Sequence, residues 1–276
     1  MELSTKVSLL AHASRLVAFT LVAGMVLTPA FPSQTPKELI ADACYNELQQ
    51  REKRTLWSYV AERRSNNHVF REQVIETVEV PVRHLLVVDG NPPTSAQVKE
   101  ENDRHQELLN NPSRRHVIQK QQDNDEKMLA DLLRIFPQAF VFEDLGKEGQ
   151  SERIAFHPNP EFKPETYEQR ILHALDGILF VDLQERRIAR LSGSLGTRVV
   201  FGYGVIGHVE QGGTTEITRV RLSPQVWKTS AEKIDLDGRF VMLKTINKHQ
   251  DESRTDFEPV APDTTFAQAL NKIGGK

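Results

Sequence analysis

Glycine, serine and histidine are the residues whose spacing in this sequence could do chemistry. Gly202-Tyr203-Gly204-Val205-Ile206-Gly207 has the letters of a dinucleotide-binding loop. There, glycines bring the backbone against a pyrophosphate at the amino end of a helix. The following residues, His208 to Gly213, have no helical period and run into another strand, so the helix that would hold the phosphate is missing. Glycines that let a bent sheet curve or bulge account for the pattern better. Ser192-Gly193-Ser194-Leu195-Gly196 approaches a nucleophile elbow but has serine where the first glycine belongs. It also lies between two strand-like runs, whereas the elbow is a strand-to-helix turn. The histidines, from His68 to His249, are dispersed, without a pair at helical or hairpin metal spacing and without a zinc signature. His173 and Asp176 are one helical turn apart, the spacing of a cap or surface pair. No catalytic residue, metal ligand or cofactor is therefore expected, and the chain reads as a non-enzyme.

Binding leaves a different mark, large apolar side chains with nothing obvious to cover them. Ile178-Leu179-Phe180-Val181 and Phe240-Val241-Met242-Leu243 are apolar on both faces. Both faces of the sheet must be covered there, one by helices and the other by a second layer or a ligand. Trp227, Phe201, Tyr203 and Phe180 are the residues expected to line a ligand surface.

The elements that must position them form an antiparallel meander from Gly177 to Lys248, with turns expected at Gly212-Gly213 and Asp237-Gly238. Upstream, Thr35-Pro36-Lys37-Glu38 opens a helix with a capping box, and Leu39, Ile40, Ala43, Cys44 and Leu48 share its apolar face. Cys44, the only cysteine, excludes an internal disulfide and reads as a buried hydrophobe. Alternation then predicts a strand from Leu56, a long strand over His68–Val80 and a third at Leu85–Val88. Glu72 and Glu76 interrupt the apolar series on the Phe70 face, as an open or edge portion of a sheet would. Thr94–Asn110 and Pro112–Phe136 predict a helical insertion, with Thr94 and Asn111 as caps and Pro137 as a stop. The insertion is expected to be anchored at its carboxyl end and exposed over Ala96–Asn124. Strands resume at Phe140–Phe142 and Arg153–Phe156. A proline-spaced connector and a short helix around Thr166–Leu175 deliver the chain to Asp176-Gly177 and the meander, and Thr264–Ile273 closes the chain as a helix.

Composition bounds the partners. The 276 residues are 38% hydrophobic, enough for a sizeable core, and carry a formal net charge of −3. Nucleic-acid binding wants a basic balance that is absent here. Lys6 and Arg15 precede or open an apolar run, Leu16–Leu27, which Thr28-Pro29-Ala30 follows with small residues as a signal peptidase prefers. Residues 1–30 are thus expected to be a removable secretory signal, and 31–276 a single domain with 94–136 as its insertion. The mature protein is expected in the periplasm or secreted.

The succession His157-Pro158-Asn159-Pro160-Glu161-Phe162-Lys163-Pro164, Leu172-His173-Ala174-Leu175-Asp176-Gly177, Phe201-Gly202-Tyr203-Gly204, Gly212-Gly213, Trp227 and Gly238-Arg239 resembles a group of exported bacterial proteins of unassigned function. The layout of amino-terminal helix, meander and helical insertion is similar to the LolA and RseB type of half-barrel. That resemblance implies an α+β fold, a curved antiparallel sheet wrapped on helices, whose concave surface often holds an acyl chain or a peptide. The expected function is to bind a lipid, a lipoprotein acyl chain or another hydrophobic group, with peripheral membrane contact as a consequence. The alternative is a protein-interaction or envelope-sensor module without a small ligand, partnered by another envelope protein.

Overall fold

Helix α1 (Pro36–Glu52) begins where its caps place it. The Thr35 hydroxyl accepts the Glu38 N–H at 3.3 Å, and the Glu38 carboxylate accepts the Thr35 N–H at 2.8 Å. Leu39, Ile40, Ala43 and Cys44 form the buried stripe. Burial, then the nearby Glu47, pushes the Cys44 thiol up to about 12, so the thiol stays protonated and acts as packing. The structure, a computed structural model, describes residues 34–53, 55–65, 67–201, 207–240 and 246–274. The expected signal segment, Tyr203 with its glycine run and Val241–Leu243 lie outside them.

The strands are β1 (Trp57–Ser65), β2 (His68–Ile75), β3 (Val82–Val88), β4 (Phe140–Glu148), β5 (Ser151–Pro158), β6 (Leu175–Asp182), β7 (Arg187–Leu195), β8 (Val199–Phe201), β9 (Gly207–Val209), β10 (Thr214–Ser223), β11 (Val226–Phe240) and β12 (Ile246–Pro259). They make one 12-stranded sheet in the order β3-β2-β1-β12-β11-β10-β7-β6-β5-β4, with β9 joining β8 to β11 off that path. Every pairing is antiparallel, and β3 and β4 end the path without meeting. The α+β class and the antiparallel sheet expected from the sequence are therefore present. Among the described residues, no helix is long and apolar enough to cross a membrane.

The main core lies between α1 and one face of β4–β7. Leu39, Ile40, Ala43 and Cys44 pack there on Phe140, Ile154, Phe156, Leu179 and Val181, with Phe136 of α3 (Pro112–Ala139) closing the side. Phe136, Phe140 and Phe156 stack with ring centroids 4.6–5.5 Å apart. On the opposite face of β2 and β3, Ile75 and Val82 pack with Phe266 and Ala269 of α5 (Phe266–Gly274). Leu108 and Leu109 of α2 (Ser95–Asn110) and Ile118 of α3 join them there. The insertion is thus anchored inside Ala96–Asn124 as well as at its carboxyl end.

Three expected boundaries move, and two glycines serve close packing. Gly177 lies inside β6, where a Cβ would run into the Ser192 carbonyl of β7 and come within 2.7 Å of the Phe156 ring. Asp237-Gly238, expected as a hairpin turn, is not one. Strand β11 continues to Phe240, and a Cβ on Gly238 would meet the His208 carbonyl of β9 at 2.7 Å. Both glycines permit close approach of other groups rather than chain reversal. Pro137 sits inside α3, which ends at Ala139, and β2 stops at Ile75 rather than Val80. Gly212, with φ +89°, does turn the chain between β9 and β10.

Candidate functional site

The described residues expected to line a ligand surface do not converge. Phe180 lies on the face of β6 turned away from α1, under the Arg190 guanidinium at 3.6 Å. A cation rather than a second layer or a ligand covers that ring. Phe201 is buried with Leu195, Val199 and Val209, and the Tyr167 ring of α4 (Tyr167–His173) meets it at 4.9 Å. Trp227 is held at the carboxyl end of α1. The Gln50 amide accepts its backbone N–H at 3.0 Å and donates to its carbonyl at 2.7 Å, standing in for a paired strand. The indole N–H donates to Glu185 at 2.7 Å. Tyr203 lies outside the described residues.

The unusual part of the sheet is the α1 face beyond the helix. Register carries that face across the strands: Leu191, packed on the α1 core, lies opposite Ile217, Ile217 opposite Glu232, Glu232 opposite Glu252, and Glu252 opposite Arg63. Alternation along β1 and β2 then puts Tyr59, Ala61, Glu72 and Val74 on the same side. Instead of a hydrocarbon floor, the strands present a ladder of opposite charges. Glu72 accepts from Arg63 at 3.1 Å and from Arg83 at 2.7 Å. Arg83 reaches Glu252 at 3.4 Å, Arg254 donates to Glu252 at 2.7 Å, and Gln250 donates to Glu232 at 3.1 Å. Arg63 lies 4.3 Å over Phe70 and Arg254 5.5 Å over Tyr59. Glu72 and Glu252 are only 3% and 6% exposed. Burial pushes the Glu72 carboxyl up, but its bonds to Arg63 and Arg83 outweigh this and hold it below its ordinary range.

A second charged cluster fixes α1. Glu47, on the helix face that also carries Leu39, Ile40, Ala43 and Cys44, is buried between Arg187 of β7, 3.2 Å away, and Arg219 of β10. Arg187 also donates to the Asn46 carbonyl and to the Gln50 side chain. The sequence signal for this cluster was an acid at the next position of an apolar helical stripe. Its partners, more than a hundred residues downstream, gave no signal.

Two open grooves lie outside these clusters. One, of about 430 Å³, is lined by Pro158, Arg170, His173, Asp176, Arg198 and Val199, among others. His173 and Asp176 do not pair: His173 bonds the Asn159 carbonyl at 2.9 Å, while His157 bonds Asp176 at 2.9 Å. Ser194 lies opposite Asp176 on β7, so the acid stands between histidine and serine. A proton relay to serine needs the histidine in the middle. The other groove, of about 460 Å³ between α3 and α4, has Met128, Leu132 and Ile135 among its lining, with Lys127, Asp131 and Arg134 beside them. Among the described residues no group of histidine, cysteine and carboxylate side chains could hold a metal ion.

This fold and these sites define an α+β protein built on one open antiparallel sheet, with a polar rather than apolar surface beside its central helix. No protein-family model, curated protein or solved structure matches the chain.

Proposed function

We propose that this chain is an exported, LolA-like half-barrel that works by binding, and that what it binds is a protein rather than a lipid. The half-barrel reading is supported by an open, all-antiparallel sheet with α1 against one face and the α2–α3 insertion between β3 and β4. Export rests on Lys6, Arg15, the apolar run Leu16–Leu27 and the small residues that follow.

The observation that carries the choice of ligand is Glu72. A lipid carrier would use the α1 face of the sheet, yet α1 fills one half of it and the other half holds Glu72, Arg83, Glu252 and Arg254 in mutual contact. An acyl chain laid there would desolvate charges without offering them a hydrogen bond. The α3–α4 groove is better suited to a polypeptide. Met128 is 41% exposed, and Lys127 and Arg134 at the rim are already paired with Asp131. An apolar patch within a polar rim is the ordinary anatomy of a protein interface.

The test is to isolate the tagged full chain and its Met128→Asp variant from the exported fraction of cells that make it. A second polypeptide near stoichiometric amount is expected with the parent chain and is expected to be lost from the variant. Absence of any polypeptide, or one that Met128→Asp leaves in place, contradicts the reading.

A further inference from the structure

Strand β3 ends the sheet, and an end strand leaves a row of backbone groups open to pairing. Helix α2 covers this edge, and it does so with polar side chains. Glu101 and His105, one turn apart on α2, are each 5% exposed. Glu101 accepts the Leu85 N–H at 2.7 Å through one oxygen, and its other oxygen lies 2.6 Å from His84 Nδ1. His105 Nε2 is 2.9 Å from the Arg83 carbonyl, so that nitrogen carries a proton and donates it. The apolar part of the contact lies further along, where Leu108 and Leu109 pack with Phe266. The polar end of α2 can therefore part from β3 while the far end stays seated.

We propose that α2 is an acid-released guard of the β3 edge: protonation of His105 loosens the helix from β3 and exposes the edge while the rest of the sheet stays folded. The reason is local. A second ring proton would sit on Nδ1, which makes no hydrogen bond among the described residues. Glu101, the acid one turn away, has both oxygens engaged by Leu85 and His84. The other groups around the ring mostly add positive charge. They are Arg104 on α2, His84 on β3, and Arg115 of α3, which lies 5.8 Å over the Phe266 ring that meets His105 edge-on. Glu79, the acid on that side, is held by Arg115 and by the Phe266 N–H. The Arg83 guanidinium is turned to the opposite face, toward Glu72. Burial holds the His105 imidazole below its ordinary 6.5, against the opposing pull of the Arg83 carbonyl and Glu101. The docked helix thus prefers the neutral ring. Docking is full above the ordinary value and weakens as pH falls from there toward the lowered one, by at most about tenfold per pH unit for one proton.

Hydrogen exchange of the full chain tests this, compared at about pH 7.5 and about pH 5.5 after correction for intrinsic rates. Protection at Leu85 and its β3 neighbours is expected to fall in acid by up to about tenfold per unit, while β6 and β7 keep theirs. His105→Gln retains a donor for the Arg83 carbonyl but does not titrate, and is expected to make β3 protection independent of pH. His157→Gln, at a histidine on β5 near the other end of the sheet, is expected to retain the parent response. Unchanged β3 protection, or a loss shared equally by β6 and β7, overturns the proposal even if His105→Gln fails to fold. An acid response that persists in His105→Gln overturns it as well.

Discussion

Glu72 stands where a sheet built to cradle hydrocarbon would present a leucine or valine, between Phe70 and Val74 on the same face of β2. The sequence shows the interruption, and alternation alone places the acid inward. It does not show Arg83 or Glu252, because those come from strands whose register no local pattern fixes. Its partners make Glu72 expensive to alter. Glu72→Gln keeps the shape, removes the charge, and leaves Arg63 and Arg83 facing a neutral group. Removing one member of a buried pair costs about 3–5 kcal/mol, and both arginines here are about one-third exposed, so a loss of about 2–3 kcal/mol at neutral pH is expected in urea unfolding. The pH dependence has a definite sign. The carboxyl is held below its ordinary value of 4.5 in the fold, so its contribution is full above that value and is lost as pH falls through the lowered one. Glu72→Gln is expected to flatten the acid limb of stability in that window, and an unchanged acid limb would show that other groups set it.

Helix α1 shows which parts of an element a sequence declares. Its start is written locally in Thr35, Pro36 and Glu38, and its buried stripe in a 3.6-residue period, so both are legible. What the helix docks against is not local. Glu47 finds Arg187 and Arg219 only once β7 and β10 are in place, and Gln50 supplies the strand-like pairing that the first residues of β11 lack on their β12 side. The same distinction explains the misplaced turn at Asp237-Gly238. Gly238 looks like a turn residue in isolation but admits the close approach of β9, a contact made by a strand some thirty residues upstream. Glu47→Ala is expected to cost about 3–5 kcal/mol, because two nearly buried guanidiniums lose their counter-charge. Replacing Glu47 by Leu together with Arg187→Met and Arg219→Met is expected to recover most of that loss. Calorimetric unfolding of the two variants checks both expectations, and a triple variant no better than Glu47→Ala would mean that the cluster specifies packing as well as neutralising charge.

For the whole molecule, class and strand composition were readable because period-2 runs and turn chemistry are local, and the 12-stranded antiparallel sheet agrees with them. The character of the face beside α1 was not readable, because it depends on which strands become neighbours. Apolar strands such as Ile178–Val181 suggested an exposed hydrocarbon surface. In the fold, Leu179 and Val181 are spent on packing against α1, and Phe180 is capped by Arg190. The protein's own side chains occupy this face, and the proposal that it carries no lipid rests on that. The most direct measurement is the native mass of protein taken from the exported fraction without detergent, compared with its denatured mass. Nothing accompanying the chain is expected to extract into organic solvent. A lipid-sized excess in the native mass that does extract would contradict it.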